Sequence, residues 1–340
     1  MSKTRITLAE VAGATGVSVA TVSKVLNDRA DVSAETRRRV LKQLKDSDYR
    51  PVGSDGARPR EQSRSIEVMV HKLQTPYIIT VLDGITSSAP AEGFEVVIGR
   101  ILSPESRQVD AQTLLRSQHA GAIFITADAS SPSLKALDDA GFPAVVVDPL
   151  RVNDSKCITI GATNFTGGVT AAEHLLSLGH RRIAHAGGPQ STDCSHARLA
   201  GYSSALRKAG IELDESLITH CAFSYDAGRQ VASDLLDRSD RPTAIFAASD
   251  EVALGVMEEA RRRSIRIPED LSVVGFDDTF VASRSAPPLT TVAQPLLEMG
   301  RVATRSLAQM INNDVVSTRH IELATRLVVR DSTAPHVGFA

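Results

Sequence analysis

Tryptophan is absent from the 340 residues, and Phe and Tyr together bring the aromatic share to only 4%. Cysteine is scarce: Cys157, Cys194 and Cys221 are far apart and odd in number. No two have metal-ligand spacing, which excludes a disulfide framework and a zinc module. They read as reduced core or pocket residues of a cytosolic protein. No apolar run approaches the ~20 residues that cross a bilayer. The opening Met-Ser-Lys-Thr-Arg lacks the pattern of a signal peptide, so a cytoplasmic location without membrane contact is expected. Catalytic signatures are missing too. None of the nine histidines stands in His-Glu-x-x-His, and neither Gly-x-Ser-x-Gly nor a Walker loop occurs. His180, His185, His196 and His220 are singletons. The expectation is a non-enzyme without catalytic residues, metal or cofactor. The segment 332–340 has no leucine heptads, which excludes a tetramerising coiled coil there.

What is present begins with charge. The formal net charge is −2, yet residues 1–50 carry ten Lys/Arg against six Asp/Glu, a net of +4, and 51–65 add +1. The remainder is −7. A basic head on an acidic body is the footprint of a phosphate-binding module joined to something else. Within the head, Thr7 and Glu10 have capping-box spacing. Leu8, Val11 and Ala12 form an apolar stripe, Gly16 permits a sharp exit, and Ser18 can cap a second helix. There Val22, Val25 and Leu26 face inward while Val19, Ala20, Ser23 and Lys24 face out. Asn27-Asp28-Arg29 makes a polar turn, and Ser33 starts a third helix to about Lys45 with Val40, Leu41 and Leu44 inside. A short helix with small residues on its outer face suits a DNA major groove; a generic helical hairpin has the same spacing.

Residues 51–65 are rich in Gly, Pro, Ser and charge, which is linker composition. From Ile66 onward, short apolar runs alternate with helical patterns. The runs 66–70, 95–99, 122–125 and 144–147 read as strands, and after a helix at 167–178 the alternation restarts with 182–185, 244–247 and 271–276. Helices are expected over 197–209, 226–237 and 250–262. Two doubly wound parallel sheets follow. In such sheets a ligand lies beyond the carboxyl ends of the strands. Arg198, placed at a helix start, and Asp277, after a strand, fall there, and such a pair can hold vicinal hydroxyls. Each equally fits a structural salt bridge or a cap. Tyr77, Phe223 and Tyr225 offer stacking faces for a sugar ring, or ordinary packing. Asp148, Thr192, Cys194 and Ser249 complete the candidates.

The chain resembles the lactose-repressor/galactose-repressor family. The likeness rests on Thr7-Leu8-x-x-Val11-Ala12, Gly16-Val17-Ser18, Thr21-Val22-Ser23-x-Val25-Leu26-Asn27 and Tyr49-Arg50-Pro51 in the head. In the body it rests on Asn164-x-x-Gly167-Gly168, Arg198-x-x-Gly201-Tyr202, Ser249-Asp250-x-x-Ala253-Leu254-Gly255 and Pro268 to Asp278. The resemblance implies an all-α helix-turn-helix domain at 1–50, a hinge at 51–65, and a two-lobed α/β core like a periplasmic sugar-binding protein. Three crossings near 160, 290 and 320 make lobe one of 66–160 with 290–320. They make lobe two of 161–289 with 321–333, before a tail at 334–340. It implies DNA contacts at Thr7, Ser18, Val19, Ala20, Thr21, Ser23, Lys24 and Asn27. Effector contacts are implied at Arg198, Asp277 and Phe223, with Tyr77, Asp148, Thr192, Cys194 and Ser249 beside them. The expected function is a homodimeric transcription regulator, a repressor on a near-palindromic double-stranded operator, answering a small effector for which a carbohydrate is favoured. The alternatives are a sugar-binding or sugar-metabolising α/β protein with an incidental helical head, and an activator on the same fold.

One stretch departs from the family. Its hinge helix carries Asn, Ala-Arg and a Leu that wedges between base steps. Here Val52, Asp55-Gly56 and Arg58 stand in those places. Arg58, with Arg60 and Arg64, is therefore expected to act on phosphates or a narrow minor groove. Whether this hinge forms a helix stays open at this point.

Overall fold

The computed structural model describes residues 8–26, 32–46, 64–101, 111–152, 157–314 and 318–336. The chain forms two compact units, Met1–Gln62 and Ser63–Ala340. The first contains helices α1 (Leu8–Thr15), α2 (Val19–Leu26) and α3 (Ala34–Asp46). Val11, Ala12, Val22, Val25, Val40 and Leu44 make its core, with Leu8, Val17 and Val32 at the margin. Gly16 has φ +66°, and the Val17 and Gly16 amides return to the carbonyls of Ala12 and Gly13. This left-handed residue closes α1 and turns the chain into α2. Leu41, expected inside, is 49% exposed. Val40 and Leu44 lie four apart on one face, and Leu41 sits a hundred degrees round from Val40.

In the second unit the chain runs β1 (Ser65–Val70), α4 (Pro76–Ser88), β2 (Glu95–Arg100), α5 (Ala111–Arg116), β3 (Gly121–Ile125), α6 (Pro132–Asp139), β4 (Ala144–Val147) and β5 (Ile158–Ala162). It continues through α7 (Asn164–Ser177), β6 (Ile183–Gly187), α8 (Asp193–Lys208), β7 (Ile218–His220), α9 (Tyr225–Leu236), β8 (Ala244–Ala247) and α10 (Asp250–Arg262). The last elements are β9 (Ser272–Asp277), α11 (Phe280–Arg284), β10 (Thr290–Ala293), α12 (Leu296–Ile311), β11 (His320–Leu323) and β12 (Arg326–Val328). They build two six-stranded sheets, ordered β11-β5-β4-β3-β1-β2 and β12-β10-β9-β8-β6-β7. Pairing is parallel except between β10 and β12. Central strands such as Gly121–Ile125 and Ala144–Val147 are buried at every residue, because helices cover both faces.

The chain passes between the lobes at residues 163, 294–295 and 324–325, where successive elements change sheet. This corrects all three expected boundaries, and Gly161 and Ala162 close β5 of the first sheet. Thr290–Ala293 belongs to the second sheet, and Ile321–Leu323 to the first. Ala334 and His336, expected in a tail, are tied to lobe two: the Ala334 carbonyl meets His180, and the His336 amide donates to Leu178.

Three helix pairs meet backbone to backbone. A Cβ on Gly84 would strike the Leu297 carbonyl, and one on Gly300 the Val81 carbonyl, which sets α4 against α12. Gly168 and Gly201 meet the carbonyls of Arg198 and Phe165 between α7 and α8. Gly228 and Gly255 meet those of Val252 and Tyr225 between α9 and α10. No helix among the described residues is long and apolar enough to cross a membrane.

Candidate functional site

In the helical unit, Ser18 precedes α2 and its hydroxyl accepts the Thr21 amide at 3.1 Å while meeting the Thr21 hydroxyl at 2.9 Å. The first of these bonds satisfies one orphan backbone N–H of the first turn. Val22 and Val25 are buried, whereas Val19 is 45% exposed and Ala20 and Lys24 are exposed, with Ser23 half-buried beside them. Residues 19, 20, 23 and 24 share one outward face of α2 by helical spacing. Thr7, Asn27 and Arg58 lie outside the described residues.

In the two-lobed unit the strand ends converge. Asp148 follows β4 with φ 50°, and Asp277 ends β9 with φ 116°. Both lie in a region that side chains seldom adopt, which places each carboxylate past its sheet at a cost in backbone strain. Tyr77 stands in the first turn of α4, behind the Thr75 cap and Pro76. Arg198 lies in the second turn of α8, since that helix begins at Asp193 rather than at the expected start. It is 2% exposed. Its Nε donates to Asn164 Oδ1 at 2.8 Å and its Nη1 to the Ala248 carbonyl at 2.5 Å. The guanidinium lies 3.8 Å from the Phe276 ring centre and 5.8 Å from that of Phe223. Its Nη1 stands 4.0 Å from Asp277.

Tyr77 and Asp148 from lobe one thus meet Arg198, Cys194 and Asp277 from lobe two. Burial raises the Asp148 pKa, and Arg198 and the Tyr77 hydroxyl act against the rise. Burial also pushes Asp277 well above the usual carboxylate range, with Arg198 opposing and Asp250 adding to it. The Tyr77 phenol is held well above its ordinary value by burial and by the same two carboxylates, and the Cys194 thiol is raised by burial and Asp148.

Two residues that sequence reasoning did not name as site residues complete the site. Asn164, just past the first crossing, fixes the Arg198 head. Gln294, in the second crossing, donates its Nε2 to Asp277 at 2.7 Å and its backbone amide to the Asp277 carbonyl. Gln294 Oε1 and Tyr77 Oη are buried and make no hydrogen bond of ordinary length, the Tyr77 hydroxyl standing toward Asp148. Polar residues directly after apolar strand runs, at sheet-changing positions, were the available signal.

The remaining candidates are less central. Ser249 caps α10 by accepting the Val252 amide. Thr192 is occupied with the Ser195 hydroxyl and the Pro189 carbonyl. Tyr225 opens α9 instead of sitting in the loop before it, and is 40% exposed. Phe223 packs over Gly188, where a Cβ would strike its ring. On the crossing side the lobes are clasped. The Asp193 amide donates to the Leu150 carbonyl at 2.9 Å, and the Asp193 carboxylate accepts the Val152 amide at 3.0 Å. A cavity of about 390 Å³ adjoins that clasp and reaches Asp148 and Cys194. No group of three His, Cys, Asp or Glu among the described residues has the arrangement of a metal site.

Known proteins match this arrangement along nearly its whole length. The family described as bacterial regulatory proteins, lacI family, matches residues 7–52. The periplasmic binding protein-like domain matches 172–333. The HTH-type transcriptional regulator DegA of Bacillus subtilis is 35% identical, over 97% of this chain and 99% of its own length. The solved CelR–cellobiose complex is 33% identical with TM-score 0.74, covering 96% of this chain and 100% of that one. The lac repressor dimer bound to operator and the anti-inducer ONPF is 30% identical with TM-score 0.72, covering 97% and 99%. With a helix-turn-helix head, a two-lobed core and likeness of that extent, the chain belongs to the lacI family of bacterial regulatory proteins, transcription regulators rather than enzymes.

Proposed function

We propose that the chain is a cytoplasmic repressor that binds a near-palindromic operator as a homodimer. A small effector, a carbohydrate by preference, lies between the lobes and changes operator affinity. Two half-sites one helical turn apart require two reading helices, hence the dimer. In this reading α2 enters the major groove through Val19, Ala20, Ser23 and Lys24, with Ser18 and Thr21 at its start, Thr7 and Asn27 flanking, and Arg58 on the backbone or minor groove.

The observation that carries the effector site is the meeting of Tyr77 and Asp148 with Arg198 and Asp277 across the two lobes, with the buried Gln294 Oε1 unpaired beside them. A ligand that bonds both lobes shifts the molecule toward the arrangement in which all its contacts form. Charged groups make strong bonds to hydroxyls, and Phe223 offers a face to a sugar ring. Cellobiose is the ligand of one solved relative.

The test is fluorescence anisotropy on an operator fragment from the protein's own promoter, with and without a panel of sugars. Asp277→Asn should keep operator affinity and lose the sugar response; a response of normal size in that variant defeats the assignment. Arg198→Ala is a poorer probe. It strips Asn164 and the Ala248 carbonyl of a partner and leaves two buried carboxylates uncompensated. Removing one partner of a buried charge set costs about 3–5 kcal/mol of fold stability.

A further inference from the structure

Granting that the interlobe cleft is the effector site, its charge and hydrogen-bond inventory narrows the ligand further. We infer that the effector is an uncharged polyhydroxy compound, and that the cleft rejects the phosphate ester of the same compound.

Charge comes first. Among the described residues, Arg198 is the cation whose charge acts on both Asp148 and Asp277. One guanidinium therefore faces two acidic groups, and even with Asp277 holding its proton the Arg198 charge is already matched by Asp148. Arg198 is also partly committed, through Nε to Asn164 and Nη1 to Ala248. A phosphate dianion entering here would find no cation that is not already matched, and would face Asp148 in a buried place where like charges are strongly unfavourable.

The direction of hydrogen bonding agrees. Gln294 Oε1 is a buried acceptor without a donor, and Asp148 is an acceptor as well. The donors are the Tyr77 hydroxyl and the remaining Arg198 N–H groups. Sugar hydroxyls can donate to Asp148 and Gln294 while accepting from Arg198 and Tyr77. The phosphoryl end of an ester offers acceptors alone, so whichever of Gln294 and Asp148 lost a hydroxyl to it would lose its donor, and Asp148 would face a like charge.

The adjoining cavity of about 390 Å³ provides no escape for a phosphate. Its described lining includes Asp148, Asp193, Glu322 and His320, with no Lys or Arg among the described lining residues. The partial positive charge at the start of α8 is met by Asp193 in its own first turn.

The experiment titrates the full-length protein, by calorimetry and by release from operator DNA, with D-ribose, D-glucose and cellobiose, each beside its phosphate ester, and with inorganic phosphate. One charged neighbour within ~4–6 Å is worth about one to three powers of ten in an equilibrium constant. The neutral member of a responding pair should therefore bind at least about tenfold tighter than its ester. Asp148→Asn should narrow that gap by about tenfold or more, by improving the ester. An ester that binds as tightly as its parent sugar, with binding lost in Asp277→Asn, overturns the inference and leaves the cleft standing as the effector site. Absence of binding and of operator release with every probe overturns both.

Discussion

Asp250 offers a sharp test of the electrostatics behind the cleft. It is the first residue of α10 and 1% exposed. Its carboxylate accepts the Thr279 amide at 2.7 Å, the Thr279 hydroxyl at 2.9 Å and the Thr291 hydroxyl at 2.6 Å. Burial nevertheless raises its pKa from 3.8 to about 6, and the Asp278 charge adds to the rise. Because the folded value lies above the unfolded one, the group favours the fold below about pH 4, and that contribution is lost as pH climbs through 6. Roughly two units at about 1.4 kcal/mol each make the loss about 3 kcal/mol. Asp250→Asn preserves the geometry: its amide oxygen takes both Thr279 donors, and its N–H donates to the Thr291 hydroxyl, which can accept. Unfolding free energies from urea titrations followed by circular dichroism should therefore drift apart with pH. Between about pH 4 and about pH 7 the difference should move in favour of Asp250→Asn by about 3 kcal/mol. Removing this charge also eases the ionisation of Asp277, which works in the same direction. A difference that stays flat with pH, or moves toward the wild type, refutes the reasoning.

Three further outcomes are expected. Lys24→Ala should lose roughly 1–3 kcal/mol on the operator and much less on random DNA, measured by competition; equal losses would make Lys24 a phosphate contact. Gly201→Ala places a methyl against the Phe165 carbonyl and should lower stability by about 1–3 kcal/mol or more, and an unchanged Tm would contradict the close approach of α7 and α8. Arg58→Leu should reduce the log–log salt slope of operator binding by about 0.9 if Arg58 neutralises a phosphate; no change in slope, affinity or DNA bending removes the linker from the interface.

The parts legible in the sequence were those where local chemistry and tertiary burial agree. Ser18 and Ser33 announce helix starts, and each accepts the amide three residues on. Phe124, Val146 and Phe246 lie in unbroken apolar runs that lie fully buried in the sheets. What escaped was tertiary. Thr290 and Thr291 are wholly buried, yet two threonines do not announce a central strand; their hydroxyls are satisfied by Thr333 and Asp250, distant in sequence. The edge strand His320–Leu323 alternates in burial and reads as surface. Arg198 and Asp277 stood out because charge beyond a strand end is conspicuous. Asn164 and Gln294 did not, because their work lies in holding those two groups, which only the folded chain brings near.

The glycine pairs between helices have a consequence for how such a regulator changes its ligand over evolutionary time. At Gly168 and Gly201, α7 and α8 rest main chain on main chain, and Arg198 is itself the residue whose carbonyl abuts Gly168. The anchoring surface is peptide backbone, which requires glycine at 168 and 201 but no particular side chain in the cleft wall. Substitutions at Phe223, Tyr77 or Cys194 reshape the wall of the cleft without touching the contact that sets the height of Arg198. The cleft wall and the helix contact are thereby physically separable. A lineage can exchange one set of wall residues for another and keep its charged anchor in place throughout.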